Sequence, residues 1–246
     1  MSLLVNHVGK TYKQGFINTK TTEALKNVSF SVNEGTVLAI IGQNGAGKTT
    51  LIKCILSLLR PDKGDILFND LKIEDVIREG NLGYMPENLQ FPDMITFIEY
   101  LSDIMILRGK CIHEYQEKLD NLIRRFFLSE HINKHISEYS KGTIKKIAFI
   151  QAILHQPKLL ILDEPTDGLD PISRRVLLNE VTEVKKAGGI VLITTHILSD
   201  LNLIADKVIV LQNGNIIKEE DTNNITTSLD DWYLKTLIEN GGIDLS

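Results

Sequence analysis

The fold of this chain is decided by the stretch Gly42-Gln43-Asn44-Gly45-Ala46-Gly47-Lys48-Thr49, which fits the pattern of a glycine, four residues and then Gly-Lys-Ser/Thr. Glycines in such a segment let backbone N–H groups turn toward phosphate oxygens without a side-chain clash. The pattern therefore predicts a loop that binds phosphate groups, and residues 42–49 are called the phosphate loop below.

The sequence on either side of the phosphate loop provides the context that the pattern requires. The continuous apolar run from Val37 to Ile41 precedes it and is typical of a buried central strand. Apolar residues at helical spacing follow from Thr49 to Leu59, and Pro61 is expected to stop that helix. The order of strand, glycine-rich loop and helix makes nucleotide binding the main functional expectation.

The residues at the end of the phosphate loop have the chemistry that a nucleotide requires. Lys48 supplies a mobile positive charge for the outer phosphates, and the hydroxyl group of Thr49 supplies a ligand for Mg²⁺. We expect the whole loop and the following Thr50 to bind the nucleotide. A guanine-reading Asn-Lys-x-Asp motif has its nearest counterpart in residues 133–136, Asn-Lys-His-Ile, which lacks the aspartate that would pair with the base.

Hydrophobic periodicity divides the remaining sequence into a sheet lobe and an inserted helical region. Residues 1–41 alternate in the manner of strands, and the polar stretch from Lys13 to Glu23 is predicted to be a loop or hairpin. After Pro157 strands and helices alternate, which predicts right-handed crossovers and a mostly parallel sheet. We predict one domain, with a sheet lobe at 1–92 and 157–225, a helical subdomain at 93–156 and a C-terminal segment at 226–246.

The composition excludes several classes of function. The net charge is −5, from 27 basic and 32 acidic residues, so we expect no nucleic-acid partner. Cys54 and Cys111 lack the spacing of a metal site and are expected to be reduced thiols. The N-terminus lacks signal-peptide features, and no apolar run approaches the roughly 20 residues of a membrane span. These features predict a cytoplasmic chain that would reach a membrane through a partner.

Further motifs follow the phosphate loop in a defined order. Residues 160–165, Leu-Ile-Leu-Asp-Glu-Pro, form an apolar strand that ends in two carboxylates, and residues 167–170, Asp-Gly-Leu-Asp, come directly after it. Residues 194–196, Thr-Thr-His, end the next strand. This series spans nearly the whole chain and resembles the ABC transporter ATPases. The resemblance implies an α/β P-loop NTPase fold of ABC type, with a mostly parallel core, an antiparallel N-terminal part and an inserted helical subdomain.

The resemblance also implies roles for individual residues. Asp163 would hold Mg²⁺ through water, and Glu164 would act as general base or polariser for the water that attacks the γ-phosphate. His196 would be the switch histidine that hydrogen-bonds the γ-phosphate, so Lys48, Glu164 and His196 are the expected catalytic residues. Tyr12 resembles the aromatic residue that stacks on adenine in this family.

A second group of motifs is expected to act across a dimer. Residues 139–143, Tyr-Ser-Lys-Gly-Thr, occupy the place of the family signature Leu-Ser-Gly-Gly-Gln, although only the serine and the second glycine match. In the family this segment contacts the γ-phosphate bound by the other protomer of a head-to-tail dimer, so Ser140, Lys141 and Gly142 are expected to act there. Asp170 belongs to the D-loop, which links the two sites.

Glu87 is the most informative departure from the family pattern. It stands where the family usually has a glutamine that touches both Mg²⁺ and the transmembrane partner. A carboxylate binds the metal through oxygen as an amide does, but it adds a negative charge and lacks a donor. The expected Mg²⁺ ligands are Thr49, Glu87 and Asp163, and the expected cofactors are ATP and Mg²⁺.

The function implied by the resemblance is ATP hydrolysis that powers transport through separate transmembrane permease subunits. A second nucleotide-binding domain, identical or different, would complete a dimer at the inner face of the cell membrane. The segment from Ser228 to Lys235 resembles the closing segment of stand-alone export-type subunits, which favours export. The alternative is a non-transport ABC ATPase that couples hydrolysis to a membrane-associated mechanical or signalling partner, because such a protein would share every motif.

Overall fold

Ten strands form two β-sheets in a computed structural model, which describes residues 1–14 and 20–242. The strands are β1 (Ser2–Gln14), β2 (Lys20–Asn33), β3 (Val37–Ile41), β4 (Lys63–Phe68), β5 (Leu71–Lys72), β6 (Leu82–Met85), β7 (Leu159–Asp163), β8 (Ile190–Thr194), β9 (Lys207–Gln212) and β10 (Asn215–Asp221). The order of the first sheet is β2-β1-β4-β5, and all its pairs are antiparallel. The order of the second is β10-β9-β3-β8-β7-β6, parallel except for the edge strand β10.

Eight α-helices connect and cover these strands. They are α1 (Lys48–Ile55), α2 (Ile73–Arg78), α3 (Phe97–Leu107), α4 (Gln116–Arg125), α5 (Lys141–Ile153), α6 (Pro171–Lys186), α7 (Leu198–Ile204) and α8 (Leu229–Glu239), all within the described residues. Short 3-10 helices span Ile112–Tyr115, Ile136–Glu138 and Thr222–Asn224. Over the described ranges, no helix combines the length and the apolar character that crossing a membrane would require.

The central strands place apolar side chains on both faces of the second sheet, because successive side chains of a strand point to opposite faces. In β3, Val37, Ala39 and Ile41 belong to one buried cluster, and Leu38 and Ile40 belong to another. The first cluster includes α3, α4, α5 and α6, and the second includes α1 and the antiparallel sheet. The predicted α/β class, with a mostly parallel core and an antiparallel N-terminal part, is confirmed by this topology.

The first helix is shorter than its sequence pattern predicted. The apolar spacing continues to Leu59, but α1 ends at Ile55. Ser57 adopts φ 56°, in the left-handed region that a right-handed helix cannot contain. The chain therefore turns away two residues after the helix ends, well before Pro61.

Two predicted segments lie partly outside the described residues. In the stretch from Lys13 to Glu23, Lys13 on β1 pairs with Thr21 on β2, next to the pair of Tyr12 and Thr22, while residues 15–19 are not described. The predicted C-terminal segment contains α8, and its residues 243–246 are not described. The lobe boundaries predicted near residues 92 and 157 fall in the loops between β6 and α3 and between α5 and β7.

Candidate nucleotide site

A large cleft opens where three parallel strands end. The phosphate loop follows β3, Asp163 is the last residue of β7, and Thr194 is the last residue of β8. Since α/β sheets bind ligands at the carboxyl ends of their strands, this edge is where a site is expected. The cleft has a volume of about 1420 Å³, and all of residues 42–50 line it.

The phosphate loop packs so closely on its neighbours that two of its glycines have no room for a side chain. A Cβ atom on Gly42 would lie 2.3 Å from Leu211 O, and one on Gly47 would lie 2.6 Å from Ala24 O. Gly47 also has φ 111° and directly precedes α1. The first N–H groups of α1 have no acceptor within the helix, so they are available to an anion at this end.

Lys48 lies near three carboxylates and is hydrogen-bonded to its own loop. Its Nζ donates hydrogen bonds to Gly42 O at 2.5 Å and to Gln43 O at 3.2 Å, within its own loop. Burial lowers the pKa of Lys48, while the nearby carboxylates of Glu164, Asp163 and Glu87 act in the opposite direction. The lysine therefore offers a partly desolvated positive charge between the phosphate loop and three acidic side chains.

Asp163 is held in place by a residue to which the sequence analysis gave no role of its own. Asp163 is 5% exposed, and the Thr194 hydroxyl group donates a hydrogen bond to its Oδ1. The two residues face each other in the register of β7 and β8. Burial raises the pKa of Asp163, and the charges of Glu87 and Glu164 raise it further, while the Thr194 hydrogen bond opposes this. The feature of the sequence that could have indicated this contact is the threonine at the last position of β8, the strand beside β7.

Glu164 and His196 form a pair at the mouth of the cleft. The Glu164 Oε2 atom accepts a hydrogen bond from the His196 backbone N–H at 3.2 Å and lies 2.8 Å from His196 Nδ1. The Glu164 N–H donates to Thr194 O at 3.0 Å. The Glu164 side chain is 14% exposed and that of His196 is 65% exposed. The carboxylate is thus fixed in direction, while the imidazole remains accessible to a ligand in the cleft.

The donor set of the cleft fits Mg²⁺ bound together with a nucleotide. Glu87, Asp163 and Thr49 all line the cleft and offer the oxygen ligands that this ion takes. Within residues 1–14 and 20–242, no three His, Cys, Asp or Glu side chains converge closely enough to hold a metal ion by themselves. Mg²⁺ in phosphoryl-transfer sites typically takes one or two carboxylates and completes its shell with phosphate and water oxygens, which suits this arrangement.

The structure places the predicted adenine-stacking residue beside the cleft. Tyr12 is 39% exposed, and its hydroxyl oxygen lies 3.5 Å from Thr50 Oγ1. Its neighbour Thr11 lines the cleft, whereas Tyr12 is not among the described lining residues. Lining residues that the sequence did not predict include Thr22, Lys26, Asn213 and Tyr233. They come from β2, the β9–β10 turn and α8, and no sequence motif connects these elements to the phosphate loop.

The signature residues lie outside the cleft of their own chain. Ser140 is the N-cap of α5, where its hydroxyl oxygen accepts a hydrogen bond from the Thr143 N–H at 3.1 Å. In the part of the chain that the structure describes, the lining of the cleft includes none of Ser140, Lys141, Gly142 and Asp170. A Cβ atom on Gly142 would lie 3.6 Å from Gly168 O, so the signature segment is adjacent to the D-loop.

Asp170 closes the D-loop as the N-cap of α6. Its carboxylate accepts hydrogen bonds from the Ser173 N–H at 2.8 Å and the Ser173 hydroxyl group at 2.6 Å. These bonds, the Ser173 hydroxyl first, lower the pKa of Asp170 to about 2, and Lys146 adds to the effect. Asp170 therefore carries a stable negative charge and fixes the end of the D-loop.

Comparisons with known proteins agree with this geometry. The sequence pattern of the family described as ABC transporter matches residues 25–167. The ABC transporter ATP-binding protein YxlF of Bacillus subtilis is 37% identical over 214 residues, which cover 83% of this chain and 71% of the relative. The ABC-type transporter ATP-binding protein EcsA of Bacillus subtilis is 32% identical over 227 residues, 89% of this chain and 92% of the relative.

Solved structures show the same fold. The structure titled as the ATP binding subunit of an ABC transporter superposes with a TM-score of 0.85 at 31% identity, and the match covers 96% of this chain and 99% of the other. The ATP-binding cassette MJ0796, solved as a dimer with ADP and Pi, superposes with a TM-score of 0.80 at 22% identity, over 91% of this chain and all of the other.

The phosphate loop, the paired carboxylates and the sheet order define the class of this protein as a P-loop ATPase with an ABC-type fold. The family match extends over more than half of the chain, and the match covers 71% of YxlF and 92% of EcsA, both above 30% identity. The chain belongs to the ABC transporter family, as an ATP-binding subunit of the kind that hydrolyses ATP to power transport.

Proposed function

We propose that this chain hydrolyses Mg²⁺-bound ATP in the cleft described above and powers export through a separate transmembrane partner. The observation that carries the catalytic part is the Glu164–His196 pair, 2.8 Å from Oε2 to Nδ1, beside a complete phosphate loop. A carboxylate fixed in direction at this edge can accept the proton of an attacking water, and geometry is the first requirement of a general base.

Each residue of the cleft has a defined task in this proposal. The phosphate-loop amides and Lys48 bind the β- and γ-phosphates, and Tyr12 stacks on the adenine. Thr49, Asp163 and Glu87 would hold Mg²⁺, which when bound would supply positive charge beside the phosphate oxygens. Glu164 orients the water and takes its proton as the γ-phosphoryl group leaves ADP and becomes inorganic phosphate. His196 orients Glu164 and hydrogen-bonds the γ-phosphate.

The signature segment is proposed to act on a second subunit. Ser140, Lys141 and Gly142 are at the start of α5, where helix N–H groups without an intrahelical acceptor favour an anion. Their position outside the cleft of their own chain supports a head-to-tail dimer, in which they contact the γ-phosphate of the partner's site. Asp170 and the rest of the D-loop would connect the two sites.

The membrane partner and the direction of transport rest on resemblance. Several relatives are named as ATP-binding proteins of ABC transporters, which supports a transmembrane partner and a location at the cytoplasmic face of the membrane. The helix α8, with Ser228 as its N-cap, contains the segment that resembles export-type subunits. In inverted vesicles with the partner, export predicts that cargo accumulates inside when ATP is added outside.

The experiment that tests the catalytic proposal compares the wild-type chain with Glu164→Gln. Glutamine retains the size of the side chain but cannot accept the water proton, so we expect hydrolysis to fall by about 10²-fold or more with ATP affinity retained. Size exclusion with ATP and Mg²⁺ should show a stable dimer for the variant, because the bound ATP is not consumed.

A matched control is Glu117→Gln, an exposed glutamate on α4. It should leave hydrolysis and dimer formation unchanged. If Glu164→Gln hydrolyses ATP as fast as the wild type, Glu164 is not the general base. If hydrolysis depends linearly on protein concentration down to high dilution, the shared-site dimer is wrong.

A further inference from the structure

A lysine on the signature helix is buried against the segment that carries the proposed general base. Lys145 lies on α5, five residues after Ser140, and is only 3% exposed. A buried ammonium group is unfavourable unless it is paired and hydrogen-bonded. The partners of this lysine therefore indicate why the charge is placed there.

Both polar partners of Lys145 belong to the loop after β7. Its Nζ donates a hydrogen bond to Glu164 O at 2.9 Å and lies 3.5 Å from Asp167 Oδ2. The lysine thus binds the backbone of the proposed general base and leaves the carboxylate of Glu164 to His196. Asp167 lines the nucleotide cleft, so the same ammonium group also contacts the wall of the site.

The backbone of Glu164 requires such support because it is strained. Glu164 has φ 49°, in the left-handed region that is unfavourable for a residue with a Cβ atom. Such a conformation persists when the surrounding structure fixes it from several sides. Here the N–H group of Glu164 is held by Thr194 O and its carbonyl group by Lys145. The direction of the Glu164 side chain depends on both contacts.

We propose that Lys145 is a positioning residue that fixes the left-handed backbone of Glu164 and links the signature helix to the general base. The inference rests on the proposed function, because it assigns Lys145 a role in that hydrolysis. Ser140, expected to contact the nucleotide of the partner subunit, and Lys145 are on the same rigid helix. A displacement of α5 therefore moves the carbonyl contact of Glu164, so that the state of one site is transmitted to the base of the other.

The neighbouring lysine has a different role. Lys146 pairs with Asp170 at 3.2 Å and donates to Phe126 O at 3.4 Å, and so connects α5 to the D-loop end and to α4. Lys145 is the one whose partner is Glu164 itself. If the positive charge of α5 acted only in a general way, Lys145 and Lys146 would both contribute to hydrolysis. The proposed positioning of Glu164 depends on Lys145.

The test replaces Lys145 and a comparable lysine elsewhere. Lys145→Met removes the donor and the charge but retains an unbranched side chain, and Lys145→Gln retains a shorter NH₂ donor. The control is Lys118→Met, because Lys118 is half-buried on α4 and its Nζ donates to Ile153 O at 3.0 Å, at the other end of α5. Steady-state ATP hydrolysis, binding of a fluorescent ATP analogue and thermal unfolding are measured for each chain.

We expect Lys145→Met to lower kcat by roughly 10- to 100-fold, the range that small displacements of a catalytic group produce. The affinity for the ATP analogue should stay within about twofold, because the phosphate loop is unchanged. Lys145→Gln should recover part of kcat, and Lys118→Met should lower the melting temperature without this loss of kcat. If Lys145→Met does not fold, a lowered kcat with unchanged affinity in Lys145→Gln supports the proposal.

The inference is overturned if the folded Lys145 variants hydrolyse ATP at the wild-type rate, or if their kcat falls only in proportion to the loss seen with Lys118→Met. A wild-type chain without ATPase activity would overturn the proposed function, and this inference with it. An active wild type with unaffected Lys145 variants would overturn the inference alone.

Discussion

His196 Nδ1 lies 2.8 Å from Glu164 Oε2, and the two residues come from the loops that follow the neighbouring parallel strands β8 and β7. With Glu164 ionised the carboxylate can only accept, so Nδ1 carries the proton and donates it. Glu164 thus fixes the proton on Nδ1, and the proposed hydrogen bond to the γ-phosphate requires a second proton on Nε2, because phosphate oxygens only accept.

Replacement of His196 by alanine should lower kcat by about 10²-fold, because the carboxylate of Glu164 loses its imidazole partner and keeps only the backbone N–H of residue 196. The affinity for ATP should fall by less than kcat does, because the hydrogen bond to the γ-phosphate is lost while the phosphate loop is unchanged. The double variant with Glu164→Gln should be no slower than Glu164→Gln alone, since residues that act as a unit have non-additive effects. Steady-state kinetics of the four chains checks this, with the exposed His113→Ala as control. Additive losses would show that the two residues act independently.

Replacement of Thr194 by valine should destabilise the protein by about 1–3 kcal/mol, because the buried Asp163 loses its hydroxyl donor. The pKa of Asp163 should rise further, since this hydrogen bond lowers it. Urea unfolding measures the stability. The control is Thr182→Val, which removes a half-buried hydroxyl bonded to Leu178 O at 3.0 Å within α6. An equal loss in both variants would contradict a special role for the Thr194 bond.

Replacement of Glu87 by glutamine should weaken the binding of Mg²⁺ at the nucleotide site. One carboxylate fewer beside Asp163 lowers the attraction for a divalent cation, so the Mg²⁺ concentration needed for half-maximal binding of a fluorescent ATP analogue should rise several-fold. Binding in the absence of Mg²⁺ should improve, because the repulsion between Glu87 and the phosphates is removed. A Mg²⁺ titration that coincides with that of the wild type and of Glu117→Gln would contradict this role.

His155 should make the free energy of unfolding decrease as the pH becomes acidic. It is 1% exposed; its Nε2 donates to Leu82 O at 3.0 Å, and its Nδ1 accepts from Arg108 at 3.1 Å. Burial, with the charge of Arg108, lowers its pKa to about 3. Because the pKa of histidine in the unfolded chain is about 6.5, the stabilisation is complete above pH 6.5 and is lost as the pH falls from 6.5 toward 3, by up to about 1.4 kcal/mol per pH unit.

The measurement is urea unfolding at pH 7.5, 6.5, 5.5 and 4.5. These values cover the upper part of the range, roughly pH 3 to 6.5, over which the stabilisation is lost. In His155→Gln the free energy of unfolding should decrease less steeply with falling pH, since a neutral amide does not titrate. The exposed His113→Gln should retain the wild-type slope. Parallel curves for the wild type and His155→Gln would show that His155 does not resist protonation in the folded chain.

The positions of the phosphate loop and of the paired carboxylates at the ends of their strands could be predicted from the sequence because each depends on neighbours in the chain. A buried strand, a turn and a helix start place residues 42–50 together, and Asp163 and Glu164 follow their strand directly. The length of α1 was predicted wrongly for a related reason. Apolar periodicity continues to Leu59, but it does not reveal the left-handed turn at Ser57.

The contacts that the sequence did not predict join residues of distant elements. Lys145 binds the carbonyl group of Glu164, Thr194 binds Asp163 across two strands, and Tyr233 reaches the cleft from α8. Lys145 lies in a segment with two adjacent lysines, and sequence periodicity alone does not show which of them is buried. These contacts depend on the packing of whole helices and strands.

The sequence by itself determined the class of fold and the nucleotide chemistry, and it predicted the residues that would hold phosphate, because these follow from local backbone requirements and from hydrophobic periodicity. Only the tertiary structure decided how Glu164, the proposed general base, is held. The strained backbone of Glu164 is supported by Thr194 from β8 and by Lys145 from α5, and both contacts form only when the sheet and the helical insert are packed together. Hydrogen bonds between distant elements depend on three-dimensional distance, which a linear pattern of residue types does not contain.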